Sequence, residues 1–356
     1  MQGRKQPTDA RSGGGRTAAA VRWLRLALVA FGALAHLTCA AEPVFDFGAL
    51  QLGLARLGVD ATAPAPVPQY SAGHNKAAIL QQGNQNNAAI GQKGGSNVAG
   101  IGQQGNANDA SIDQSGVGNS GMVLQIGNSQ SASISQTGSL NRAYVRQGGT
   151  RNDAQVTQGG IGQIAGILQL GSQNRAQVSQ SDLASTSPSS GHKHRGKDRD
   201  PGDKDGGKKG AEEDGAGLPA SFSQAFNETQ ILQQGDQNWT SVRQGGSVNA
   251  AAVTQIGSRN RASVDQNGAS NLAQTSQIGD AQIATITQSG NLNQAFVNQS
   301  GYGNQAYVQQ SGSANQAAVL QYGTNNYAQI AQAGNGLRTV VTQVGNNNHA
   351  TVVQGH

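Results

Sequence analysis

The sequence predicts an all-β chain: a cross-β solenoid built from 11-residue strand-and-turn units, two units to each 22-residue rung. Three observations lead there. Glutamine returns at every eleventh position in two long arrays. The fixed residues of each unit, Asn, Ala, Val or Ile, Gln and Gly, fall at every second position, which specifies one face of a strand and leaves the other free. Each unit also carries a Gly three places before an Asn, a pairing that supplies turn chemistry.

The first array places Gln81, Gln92, Gln103, Gln114, Gln125, Gln136, Gln147, Gln158, Gln169 and Gln180 in strict register. The second runs from Gln233 through Gln244, Gln255, Gln266, Gln277, Gln288, Gln299, Gln310, Gln321, Gln332 and Gln343 to Gln354. No insertion breaks either one, and the unit reads Q-x-G-x-x-N-x-A-x-[VI]-x-Q. In the first array the Asn position is filled by Asn86, Asn97, Asn108, Asn119, Asn141, Asn152 and Asn174. In the second it is filled by Asn238, Asn249, Asn260, Asn271, Asn293, Asn304, Asn315, Asn326 and Asn348. The exceptions are Gln130, Gln163, Gln282 and Leu337. Gly121, Thr240 and Thr339 replace the Ala, and Thr275 replaces the Val or Ile. Half-matches at Asn75 and Asn227 begin each array one unit early. Fixed spacing over this many units is the mark of a repeat architecture.

Stacking such rungs sets equal positions above one another, so that Ala and Val/Ile form columns and the Gln and Asn side chains form amide ladders. These Gln and Asn residues are the candidate self-assembly site. A buried amide without partners costs about 2 to 7 kcal/mol, so an inward Gln or Asn demands a neighbour in its column. One buried Val or Ile per unit does not offset the entropy of ordering the whole unit. Most of the stability of a unit must therefore come from the rungs above and below it. The repeat runs in register to Gln354 with no capping pattern after it, and an uncapped end rung is expected to template the next molecule.

Composition narrows the function classes. Only 35% of the chain is hydrophobic and 4% aromatic, with 51 Gly, too little for a conventional core. The net charge of +5 belongs wholly to residues 1–41, where Arg4, Lys5, Arg11, Arg16, Arg22 and Arg25 face only Asp9. The remainder is formally neutral with no basic stripe, so nucleic acid is not an expected partner. The basic run, the apolar stretch from Trp23 to Ala35 and the small residues around Ala40-Ala41 read as a secretory signal peptide spanning 1–41 and cleaved after Ala41. Cys39, the single cysteine, falls inside it, which leaves the mature chain without disulfides or Cys metal sites.

Residues 42–69 form an N-terminal segment, apolar at Phe45, Phe47, Leu50, Leu52, Leu54 and Leu57, then an extended Pro64, Pro66 and Pro68 linker. The two arrays, 70–180 and 222–356, are separated by a charged linker at 181–221 with the composition of a disordered segment. A coil of that length spans roughly 35 Å, so the arrays are free either to stack on each other or to enter a fibre separately. His192 and His194 lack the accompanying ligands of a metal site. Gly116, Gly118 and Gly121 spell a dinucleotide fingerprint, but the first belongs to the repeat and no helical pattern follows. No catalytic constellation stands out. The expectation is a non-enzymatic protein with no cofactor, no metal and no small-molecule substrate.

The repeat resembles the curlin repeat, which combines Gln, Gly, Asn, Ala and Gln at these spacings, over residues 70–180 and 222–354. That resemblance implies a curli fibre subunit, major or nucleating, secreted unfolded through an outer-membrane curli secretion pore. It further implies polymerisation at the cell surface, with itself and other curlin-type subunits, into biofilm matrix. By the same analogy 42–69 would address the chain to the pore. Two arrays instead of one, and the charged insert, depart from the family pattern. The competing expectation is a monomeric secreted β-solenoid adhesin or ligand-binding surface protein; the irregular outward residues and the missing cap weigh against it. Asp109, Asp113, Asp153, Asp236, Asp265 and Asp280, interspersed on the outward positions, are expected to slow premature assembly.

Overall fold

The computed structural model describes residues 74–182 and 226–355, all within one compact unit, Tyr70–His356. The expected signal peptide, the 42–69 segment, Cys39, His192, His194 and all but the first two residues of the linker lie outside the described residues.

Alternating inward residues give strands, and the Gly-x-x-Asn steps end them. The first array holds β1 (Lys76–Gln82), β2 (Asn87–Gly95), β3 (Val98–Asn106), β4 (Asp109–Val117) and β5 (Ser120–Asn128). It continues with β6 (Ser131–Ser139), β7 (Arg142–Thr150), β8 (Asp153–Ile161), β9 (Ile164–Ser172) and β10 (Arg175–Ser181). The second begins with β11 (Glu228–Gln234), β12 (Trp239–Ser247), β13 (Ala250–Ile256), β14 (Arg261–Ala269), β15 (Leu272–Asp280) and β16 (Ile283–Asn291). It ends with β17 (Gln294–Tyr302), β18 (Gln305–Ser313), β19 (Gln316–Thr324), β20 (Tyr327–Asn335), β21 (Arg338–Asn346) and β22 (His349–Gly355).

Odd-numbered strands form one 11-stranded parallel sheet and even-numbered strands another, so the chain alternates between two facing sheets and climbs one rung with every pair of strands. The expected all-β solenoid with two strands per rung is what the chain adopts. The two arrays are a single solenoid. β9 pairs with β11 and β10 with β12 in the register used everywhere else, Gln169 beside Gln233 and Gln180 beside Gln244. The register of the stack is thus the same on both sides of the insert.

Each turn holds two residues at positive φ. The repeat Gly has positive φ, as at Gly83 (113°) and Gly268 (125°), but the second positive φ falls on the residue before the Asn, such as Gln85 (57°) or Leu140 (59°). The Asn itself holds the turn through its side chain: Asn86 donates from Nδ2 to the Gln82 carbonyl at 3.1 Å. The Gly is fixed by crowding as much as by φ. A Cβ on Gly268 would lie 1.9 Å from the carbonyl oxygen of Gly290, one rung above, and the same clash recurs through the stack.

Between the sheets lies a narrow core of Ala, Val and Ile; Val145, Val178, Ile286 and Ile330 are fully buried. The Thr replacements at the Ala position join the polar part of this interior, as Thr240 donates to Gln255 Oε1 at 2.8 Å and accepts from Gln233 Nε2 at 3.1 Å. Thr275 is different. It stands between Val253 and Val297 in the apolar column, 1% exposed, and its hydroxyl has no partner. Exchanging that orphan for the isosteric methyl of Thr275→Val is expected to raise unfolding free energy by about 1 to 3 kcal/mol, read as a higher denaturant midpoint at unchanged slope.

Candidate self-assembly site: the amide ladders and the open end rungs

Every repeat glutamine is brought into one of two unbroken columns. In the odd-numbered sheet Gln81 Nε2 donates to Gln103 Oε1 at 2.7 Å, Gln103 to Gln125 at 2.8 Å, and so on to Gln321 and Gln343 at 2.8 Å. In the even-numbered sheet the column runs from Gln92 and Gln114 at 2.9 Å to Gln332 and Gln354 at 2.9 Å. Both columns cross the insert without a gap, with Gln169 donating to Gln233 and Gln180 to Gln244, each at 2.8 Å. From Gln92 onward the second N–H of each amide reaches the facing sheet, as Gln147 Nε2 donates to the Ser131 carbonyl at 2.8 Å. Each glutamine therefore binds a rung to the next and one sheet to the other, which satisfies both donors of a fully buried amide.

The asparagines do something else. The expectation of a simple side-chain ladder holds only at a few of them, such as Asn108 to Asn86 at 3.1 Å. The general pattern joins side chain to backbone. Asn119 Nδ2 donates to the Gly138 carbonyl at 3.0 Å, and Asn119 Oδ1 accepts from the backbone N–H of Asn141 at 3.1 Å. One short amide thus closes its own turn and ties it to the turn above.

The glutamines that stand in for asparagine show why the length matters. Gln130 Nε2 still reaches the Gly149 carbonyl at 2.9 Å, and Gln282 Nε2 the Gly301 carbonyl at 3.0 Å. Their Oε1 atoms, like that of Gln163, are buried without a partner. The extra methylene carries the oxygen past the backbone N–H that an Asn would accept. At Gln163 the rung above offers Asp182 where the repeat would have its Gly, and the Asp182 carboxylate takes donors from Gln163 Nε2 and, at 2.8 Å, from Ile161 N. Burial pushes the Asp182 carboxyl above the usual carboxylate range, while those two donors pull it back.

On the outward faces, charges sit beside compatible neighbours. Arg175 pairs with Asp153 at 3.3 Å, Arg243 lies 4.0 Å from Asp265, and Arg261 stacks on the Trp239 ring at 4.4 Å. Asp236 and Asp280 accept turn N–H groups from Ser172 at 2.8 Å and Ser258 at 2.7 Å. Asp109 accepts from Asn87 Nδ2 at 3.0 Å. Five of the six interspersed aspartates thus have a local bonding role, which the sequence pattern alone did not reveal. Among the described residues no group of three or more His, Cys, Asp or Glu is placed to hold a metal ion.

The stack ends abruptly at both sides. Among the described residues β1 and β2 have no strand below, and β21 and β22 none above. Ile79, which occupies the core column, is 47% exposed there, and at the other end Ala350 and Val352, in the inward columns, are only partly buried against the core.

A two-sheet parallel β-solenoid, held by glutamine columns and glycine-pinned turns, defines a repeat-built structural protein. The curlin-associated repeat matches residues 74–181 in four overlapping segments and 240–355 in five. That covers well over half of the chain, and the chain belongs to the curlin-repeat family. A comparison with curated proteins finds no match.

Two substitutions test the geometry. Gly268→Ala is expected to cost more than about 2 kcal/mol, the left-handed penalty plus the clash with Gly290, and to lower the thermal midpoint clearly. Gln282→Asn should do the opposite, raising stability by about 1 kcal/mol as Oδ1 meets the backbone N–H of Asn304, a gain readable in the same melting experiment.

Proposed function

We propose that this protein is a structural subunit of an extracellular curli-type amyloid fibre, which grows as copies stack rung upon rung and serves surface adhesion and biofilm matrix. The observation that carries the reading is the pair of strands left open at each end of the stack among the described residues. β21 and β22 hold unpaired edges, and Gln343 and Gln354 occupy the last places of the two glutamine columns. A second copy set above them in the same register would bring Gln81 to Gln343 and Gln92 to Gln354, extending both ladders and covering Ile79. Long exposed parallel edges are templates for such addition. The role is structural, and the partners are further copies, other curlin-type subunits and, by family analogy, an outer-membrane secretion pore. The interspersed aspartates serve as a brake on early association in this scheme.

Fibre diffraction with electron microscopy on the chain from Glu42 onward, diluted out of denaturant, tests this. Fibres with a meridional reflection near 4.7 to 4.8 Å are expected; a stable soluble β-rich monomer would place the adhesin reading first. Gly345→Ala sharpens the test. No carbonyl lies above Gly345, so the substitution carries the positive-φ penalty (φ 114°) but not the crowding that the other repeat glycines suffer. In a stacked pair its Cβ would meet Gly83 of the next copy. The variant is expected to fold as a solenoid and to lose seeded elongation at that end.

A further inference from the structure

The register that builds the solenoid also states which residues would meet at a joint between copies. Continuing it for one more rung sets β1 of a second copy above β21, Lys76 over Arg338. Across all the paired strands among the described residues, no two like charges stand directly opposite each other. Arg338 itself faces Gln316, and Lys76 faces Val98. Where cations have charged or aromatic neighbours they are favourable ones: Arg175 stands between Asp153 and Trp239, and Arg243 opposite Asp265. Trp239 in fact separates Arg175 from Arg261. The joint would be the one place where this order fails.

Among the described residues, nothing nearby on that sheet compensates. β1, β3, β19 and β21 carry no carboxylate. On the other sheet the end strands contribute His349, facing Tyr327 in a stack at 4.7 Å, and Lys93, and the closest acids are Asp109 and Asp113 on β4. Of these, Asp109 is engaged by Asn87. Among the described residues the end strands thus carry Lys76 and Lys93 at one side and Arg338 at the other, with no carboxylate on any of the four.

We propose that the joint between two copies is charge-gated: stacking in register opposes Arg338 to Lys76, so that elongation is held back at low ionic strength and is fastest onto an end bearing a carboxylate in the Lys76 place. This rests on the fibre reading above and adds to it the control of its growth step. Like charges directly opposite on neighbouring strands disfavour pairing, and the effect over a rung spacing is screened as the Debye length falls from about 30 Å at 0.01 M salt to about 8 Å at 0.15 M.

Seeded elongation of the full chain from Glu42 onward, followed by dye binding with electron microscopy, tests it over that salt range. The unaltered protein is expected to elongate several-fold faster at the higher salt. Lys76→Glu alone, and Arg338→Glu alone, each turn the contact into an ion pair, and with seeds of the same variant should elongate faster at low salt and slow as salt rises. The double variant Lys76→Glu with Arg338→Glu restores like charges and should regain acceleration by salt. Arg259→Glu, in an exposed turn away from both ends, changes net charge equally and should behave as the unaltered protein does. Fibres that respond to salt alike in all these variants would overturn the gated joint and leave the fibre reading standing. A chain that forms no fibres under any of these conditions would remove both.

Discussion

The glutamine column is the constraint on which the rest of this structure depends. A buried primary amide has two donors and an acceptor to satisfy, and in a narrow interior only a like residue one rung away and a carbonyl across the gap can do so. That requirement forbids any slip of register, because a shift by one residue would turn the glutamines outward and bring unpartnered groups inward. It also fixes the separation of the two sheets, since each amide must reach the facing backbone. The Ala and Val/Ile columns fill what space remains. Hydrophobic burial then stabilises an arrangement whose geometry the amides have already chosen.

The exceptions to the repeat sort themselves by whether they respect the amide network. Thr240 and Thr339 are tolerated at an alanine position because their hydroxyls enter the ladder, Thr339 accepting from Gln332 at 3.1 Å. Thr275, one position further along its strand pattern, reaches no amide and leaves its oxygen orphaned. The Gln-for-Asn replacements keep the donor half of the turn contact and lose the acceptor half. Such costs are tolerable singly because each rung is braced from two sides.

Much of this was legible in the sequence. The recurrence of the unit, with its period of two inside each strand, leaves no helical alternative, and it places Val145 or Ile286 inward as surely as it places Gln147 or Gln288. The strict Gly pointed to positive φ, though not to the contact with the Gly one rung above, because residues two units apart along the chain come into contact only after the rungs are stacked. The second left-handed residue was hidden because its occupants, Gln85, Ser96 and Leu140 among them, share no side-chain chemistry; the tightness of the turn imposes the conformation. The distinct work of Asn and Gln was hidden for a related reason, since both read simply as amides until the distance to a particular N–H is known. The stacking of the two arrays could not be read at all. A flexible coil is compatible with many placements, and only the matching faces of β9 with β11 and of β10 with β12 select one.

The glutamine columns also have a direction. From Gln81 upward, each side-chain N–H is given to the oxygen of the residue nearer the C-terminus, and the same sense holds in both sheets. One end of the stack therefore offers oxygens and the other offers hydrogens. Two molecules meeting by identical ends would set donor against donor or acceptor against acceptor, whereas unlike ends complement each other. An assembly grown through these columns would be vectorial along its whole length, with two chemically different tips.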